Sequence, residues 1–160
     1  MQILLPMAGA GSRFVQQGYK KPKPLIDVLG KTMIENVVHN LGCNHDYIFI
    51  VQKNTISEYL VELVEATEVS NSSIFLTTNG LTRGAAETCL IAKDKLKLDE
   101  PLMIANCDQI MEWNPQEFHK WFTETPSDGS IITFDSDSDK NSYVKLDDNR
   151  SEEHTSELQS

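Results

Sequence analysis

Ile3-Leu-Leu-Pro-Met-Ala-Gly-Ala-Gly-Ser-Arg-Phe14, followed after a polar spacer by Pro22-Lys-Pro-Leu-Ile-Asp27, decides the fold. The apolar run Ile3 to Leu5 is short enough to be a buried strand. It breaks into a loop of small residues, Ala8, Gly9, Ala10, Gly11 and Ser12, whose glycines free the backbone for φ > 0 or for the close approach of a ligand. Arg13 follows at once, and Lys23 sits between two prolines that hold its backbone extended. This combination suits a polyphosphate: successive N–H groups make an anion-binding concavity, a guanidinium adds a planar fork, and an ammonium adds a point charge. A dinucleotide fingerprint would need glycine where Phe14 stands, and a Walker-type loop would need Gly-Lys-Ser/Thr, which is missing. The plain alternative is a tight strand-to-loop turn with Arg13 in solvent.

The chain has 160 residues, the size of one domain with a real core. Its net charge of −10 argues against nucleic acid or an anionic membrane as a general partner, and makes the Arg13, Lys20, Lys21, Lys23 cluster stand out. Cys43, Cys89 and Cys107 lack metal-ligand spacing, so a reducing, cytoplasmic location is expected. No apolar run approaches membrane length, and Met1-Gln2-Ile3 is expected to lead straight into a strand rather than to open a signal peptide. Homo-oligomerisation is left open. Residues 150–160 carry neither helical nor strand periodicity and resemble a reading frame of a sequencing adapter. We therefore expect one domain over residues 1–149, incomplete at its C-terminal end, and a non-native tail after it.

Outward from the loop, strands and helices alternate. Helices are expected from the Thr32/Glu35 capping box to Gly42, over 57–66 with Leu60, Leu63 and Val64 on one face, over 85–96, and from Pro115. Strands are expected at 47–51, 74–78, 102–105, 131–134 and 143–146. This order predicts an α/β, Rossmann-like, doubly wound and mostly parallel sheet flanked by helices. Ligands of such sheets bind outside the carboxyl ends of the strands. The glycine loop, Asn79-Gly80 and Asn106-Cys107-Asp108 each leave such an end, and so converge on one edge. Asp108 is a strand-end carboxylate of the kind Mg²⁺ takes alongside substrate phosphates; its plain role would be to cap a turn. The alternation of Asp135, Asp137 and Asp139 fails the EF-hand pattern at Lys140 and Leu146 and reads as a solvated loop.

The Gly-x-Arg loop and Pro22-Lys-Pro-Leu25 resemble the signature of the nucleotidyltransferases that activate sugar 1-phosphates, relatives of glucose-1-phosphate thymidylyl- and uridylyltransferases. One departure is Ala8-Gly9, where many members have Gly-Gly. The resemblance implies that NMP passes from an NTP to a sugar phosphate and that pyrophosphate is released. It implies that Ala8 to Ser12 cradle the triphosphate, that Arg13 and Lys23 hold phosphates, and that Asp108 holds Mg²⁺. It further implies that Asn79, five residues before Gly84, reads the nucleobase. The partner carboxylate for the metal lies later in the family's chain. Other readings are a cytidylyltransferase for a non-sugar phosphate, a non-catalytic NTP-binding fragment, and a nucleotide-sugar glycosyltransferase.

Overall fold

The structure is a computed structural model and describes residues 1–68, 70–125, 127–138, 143–146 and 152–153. It divides into two compact units, Met1–Phe118 and His119–Ser160. All the candidate site residues belong to the first.

That unit is built on a four-stranded, fully parallel sheet. β1 (Gln2–Pro6) pairs on one side with β4 (Asp46–Gln52) and on the other with β6 (Leu102–Ile104), and β5 (Ser72–Thr78) pairs with β4. The order is β5-β4-β1-β6. A central parallel strand is buried on both faces, which is why Ile3-Leu-Leu5 is continuously apolar rather than alternating. The period of two still sorts side chains to two faces. Ile3, Leu5, Tyr47, Phe49 and Val51 pack on one face, against Ile34, Val37, Val38 and Leu41 of helix α2 (Met33–Leu41) and Leu63 and Ala66 of helix α3 (Lys53–Thr67). Leu4, Ile48 and Ile50 pack with Cys89, Ala92 and Leu96 on the other.

The first helices form for local reasons that the sequence carries. A hairpin of β2 (Asp27–Val28) and β3 (Lys31–Thr32) delivers the chain into α2. There Thr32 Oγ1 accepts the Glu35 N–H at 3.2 Å, and Gly42 ends the helix at φ 110°. From β4, the Tyr47 hydroxyl donates to the Gly42 carbonyl at 2.7 Å and so ties the end of the helix to the sheet.

Three expectations are corrected. α3 starts at Lys53, not near 57, and contains a kink at Tyr59 (φ −128°, ψ 20°). Its buried stripe therefore runs through Ile56, Tyr59, Leu63 and Ala66, while Leu60 and Val64 are exposed. The helix expected over 85–96 is α4 (Ala85–Leu90) plus a separate 3₁₀ turn, Lys93–Lys95. The N–H groups of Ile91 and Ala92 reach back only three residues, to Thr88 and Cys89, and this tightens the chain out of the α-helix. Ile131 to Phe134 form no strand: no ladder is made there among the described residues, and Ile131 and Phe134 are exposed.

In the second unit, β7 is confined to Lys145–Leu146 and pairs antiparallel with β8 (Glu152–Glu153). Helix α5 (Pro115–Glu124) starts within the first unit and begins as expected at its proline, with the Asn114 carboxamide oxygen accepting the N–H groups of Gln116 and Glu117 at 3.1 and 3.3 Å.

Candidate functional site

Because every pairing in the main sheet is parallel, the carboxyl ends of β1, β4, β5 and β6 share one edge. The chain runs from β1 to β4 to β5 in one direction, and then places β6 on the opposite side of β1. The strand order therefore reverses between β1 and β6, where a crevice opens in sheets of this kind.

On one side of that crevice is the glycine loop. The Met7 N–H continues the ladder to the Ile50 carbonyl at 2.7 Å, and the Gln52 side-chain amide donates to the Ala8 carbonyl at 2.9 Å. Ala8 is buried, while Gly9 and Ala10 lie at the surface. Gly11 is left-handed (φ 58°, ψ 25°), and its carbonyl accepts the N–H groups of Phe14 and Val15, starting the short helix α1 (Ser12–Gln16). The two glycines thus serve differently. Gly11 supplies the backbone conformation, whereas Gly9 has φ outside the left-handed range and open space where a side chain would stand.

On the other side is Asp108, which follows β6. Lys23 bridges the two, its ammonium donating to Asp108 Oδ2. Pro24 and Leu25 are buried in a 3₁₀ turn, Lys23–Leu25, so the backbone of Lys23 is anchored and only its side chain spans the gap. The ammonium also lies 5.6 Å from the centre of the Phe14 ring, which Tyr19 meets edge-on at 5.7 Å. Between Asn106 and Asp108, Cys107 is buried in the core; desolvation first, then the adjacent carboxylate, push its thiol pKa up, so it stays protonated and unreactive near neutrality. Arg13 is exposed on α1 and makes no side-chain hydrogen bond or ion pair among the described residues.

Asn79 is exposed at the end of β5. It lines a cleft of about 500 Å³ with Gln52, Lys53, Asn54, Ser57, Thr78 and Gly80. Local hydrogen bonds shape the turn that carries it. Thr78 Oγ1 donates to the Gly80 carbonyl at 2.6 Å, and Thr88 Oγ1 donates to the Gly84 carbonyl at 3.1 Å. Arg83, inside the same turn, is spent on Glu87, with Nε to Oε1 at 3.1 Å.

The structure therefore joins Lys23 and Asp108 directly, sets Lys23 beside Gly11, where an added Cβ would meet the Lys23 Cβ at 3.5 Å, and places Arg13 and Asn79 on the same edge without side-chain contact to the Lys23–Asp108 pair. Two contributors were not read from the sequence. Gln52 ties the glycine loop to the cleft; its signal was a polar residue directly after the apolar run Tyr47 to Val51. Phe14 flanks the Lys23 ammonium; in the sequence it only broke a dinucleotide fingerprint. Among the described residues there is no cluster of three or more His, Cys, Asp or Glu side chains able to hold a metal. Asp108 offers the hard carboxylate oxygen that Mg²⁺ prefers, and one or two protein carboxylates with substrate phosphates complete such a site. The donor type fits.

The family model described as nucleotidyl transferase (NTP_transferase) matches residues 2–155. The chain belongs to this family. Among curated relatives of this nucleotidyl transferase, the bifunctional protein GlmU of Methanocaldococcus jannaschii is 24% identical over 153 residues, covering 91% of this chain and 35% of that protein. The GlmU of Methanococcus vannielii is 26% identical over 121 residues, covering 74% and 27%. The chain thus spans about a third, or less, of the length of these relatives.

Solved structures agree on the fold. A nucleoside-diphosphate-sugar pyrophosphorylase from Vibrio cholerae superposes with a TM-score of 0.55 at 25% identity, covering 73% of this chain and 52% of the other. A Bacillus anthracis protein assigned as a glucose-1-phosphate thymidylyltransferase, in complex with a sucrose, gives 0.65 at 20% identity, covering 78% and 50%. The UTP-bound UGPase of Acinetobacter baumannii gives 0.54 at 16% identity, covering 77% and 53%. No helix among the described residues is long and apolar enough to cross a membrane.

Proposed function

We propose that this nucleotidyl transferase chain provides the nucleotide-binding part of an enzyme that moves NMP from an NTP to a sugar 1-phosphate. The observation that carries the reading is the meeting of Lys23 and Asp108 across the point where strand order reverses. Two residues far apart in sequence, each read separately as a phosphate or metal group, share one position beside the glycine loop.

In this reading the N–H groups of Gly9 to Ser12 receive the triphosphate, with Gly9 leaving room for its approach. Arg13, exposed on the short helix α1 and unpaired among the described residues, neutralises the pyrophosphate as it leaves. Lys23 holds the α-phosphate and the incoming acceptor. The acceptor's phosphate oxygen attacks the α-phosphorus as the bond to pyrophosphate breaks, so NTP and sugar phosphate give NDP-sugar and pyrophosphate. Chemistry of this type depends mainly on positioning and charge neutralisation. Mg²⁺ held by Asp108 would supply charge neutralisation at the phosphate oxygens. Asn79, at the cleft shared with Gln52, offers an amide donor and acceptor for a base edge.

The test is pyrophosphate release by the complete gene product across panels of NTPs and sugar phosphates, beside its Asp108→Asn variant. We expect release with at least one sugar 1-phosphate, and near-complete loss in the variant, since an amide binds a hard cation poorly. Release only with a non-sugar phosphate would move the assignment to a cytidylyltransferase type. Full activity in EDTA would remove the metal from the scheme.

A further inference from the structure

We propose that Lys23 closes the metal position while no nucleotide is bound, so that a divalent cation enters together with the nucleotide rather than ahead of it. The inference rests on the nucleotide reading above and adds an order of binding to it. In the structure the Lys23 ammonium donates to Asp108 Oδ2, one of the two carboxylate oxygens that a hard cation could use. An ammonium there takes a coordination position and also places a positive charge where a dication has to arrive.

The closed arrangement is held on more than one side. Buried Pro24 and Leu25 anchor the backbone of Lys23, and the Phe14 ring, braced by Tyr19, flanks the ammonium. Asp108 belongs to no group of three or more metal-ligating side chains among the described residues. A free cation therefore meets a single carboxylate that is already neutralised. A triphosphate alters both conditions: its negative charge draws the ammonium off Asp108, and its oxygens complete the coordination of the metal. Metal and nucleotide then bind with positive coupling, and by linkage each raises the affinity of the other by the same factor.

Binding of Mn²⁺, followed by electron paramagnetic resonance of the free ion, tests this on the 160-residue chain with and without UTP or dTTP. The wild type is expected to bind Mn²⁺ weakly alone and strongly with nucleotide. Lys23→Met is expected to bind Mn²⁺ alone about ten-fold more tightly than the wild type. Phe14→Leu leaves the lysine in place and loosens its bracket, so a smaller tightening in the same direction is expected. This second variant keeps the question open to refutation where Lys23→Met does not fold. Equal affinity of wild type and both variants for Mn²⁺ alone would overturn the latch, while nucleotide-dependent Mn²⁺ binding by the same proteins would leave the functional reading standing. Absence of nucleotide-dependent binding from every version would overturn the functional reading, and the latch with it.

Discussion

Arg13 and Lys23 are both cations beside the glycine loop, yet their surroundings differ. Arg13 is exposed and unpaired among the described residues, so Arg13→Ala leaves folding untouched and removes only ligand contacts. It should weaken NTP binding by about 1.5–3 kcal/mol, the range for a hydrogen bond to a charged group, with an unchanged melting temperature. Calorimetric titration beside a thermal melt checks both halves; unaltered affinity would take Arg13 out of the phosphate site. Leu29 makes a different residue-scale case. It sits at φ 57° at the tip of the β2–β3 hairpin and is 100% exposed, combining an unfavourable backbone conformation with no burial in return. Leu29→Asn should stabilise the fold by about 1 kcal/mol, because asparagine tolerates the left-handed region. A denaturant titration showing a loss of stability would mean that Leu29 makes contacts of its own.

At the scale of elements, the sequence was most legible where one local signal sufficed. The Thr32 cap, the Gly42 stop, the proline start of α5 and the buried runs of β1 and β4 all lie where periodicity and capping put them. Periodicity misled in α3, because Leu60, Leu63 and Val64 fit a helical stripe as well as Ile56, Tyr59, Leu63 and Ala66 do. The sheet chose between them, helped by the kink at Tyr59. Accordingly Leu63→Ala should cost about 2–5 kcal/mol, and Leu60→Ala less than about 1 kcal/mol, in unfolding experiments. Comparable costs would put the buried face back on Leu60.

The amino end of the sheet has its own signature in pH. Ser72, Lys97 and Asn71 donate to the Asp46 carboxylate and hold its pKa well below the usual carboxylate range. A depressed folded pKa contributes stability that is present above the unfolded carboxylate value and is lost as pH falls through the folded one. The stability difference between wild type and Asp46→Asn should therefore be constant near neutrality and shrink only under acid conditions, below about pH 4. A difference that shrinks on the alkaline side would contradict the assignment.

For the whole molecule, the convergence of three loops on one sheet edge was readable in advance, because parallel strands place every carboxyl end together whatever the details of packing. Which side chains would touch was not readable. The Lys23–Asp108 contact depends on β6 lying next to β1 rather than at the far side of β5, and no local pattern encodes strand order. Gln52 was missed for the same reason, since its partner Ala8 lies in the loop after the neighbouring strand β1. The central claim is that this edge binds a nucleotide through Lys23 and Asp108. The chain spans only part of its relatives, and in our reading the glycine loop, both cations and the Asn79 turn suffice for binding but not for turnover. The most direct measurement is isothermal titration of UTP–Mg²⁺ and dTTP–Mg²⁺ into the 160-residue chain, its Lys23→Ala variant and its Asp108→Asn variant. We predict saturable binding of at least one nucleotide to the wild type, and a loss of about 1.5–3 kcal/mol in each variant. Equal binding by all three proteins would contradict the claim, as would failure of every nucleoside triphosphate to bind the folded wild-type chain.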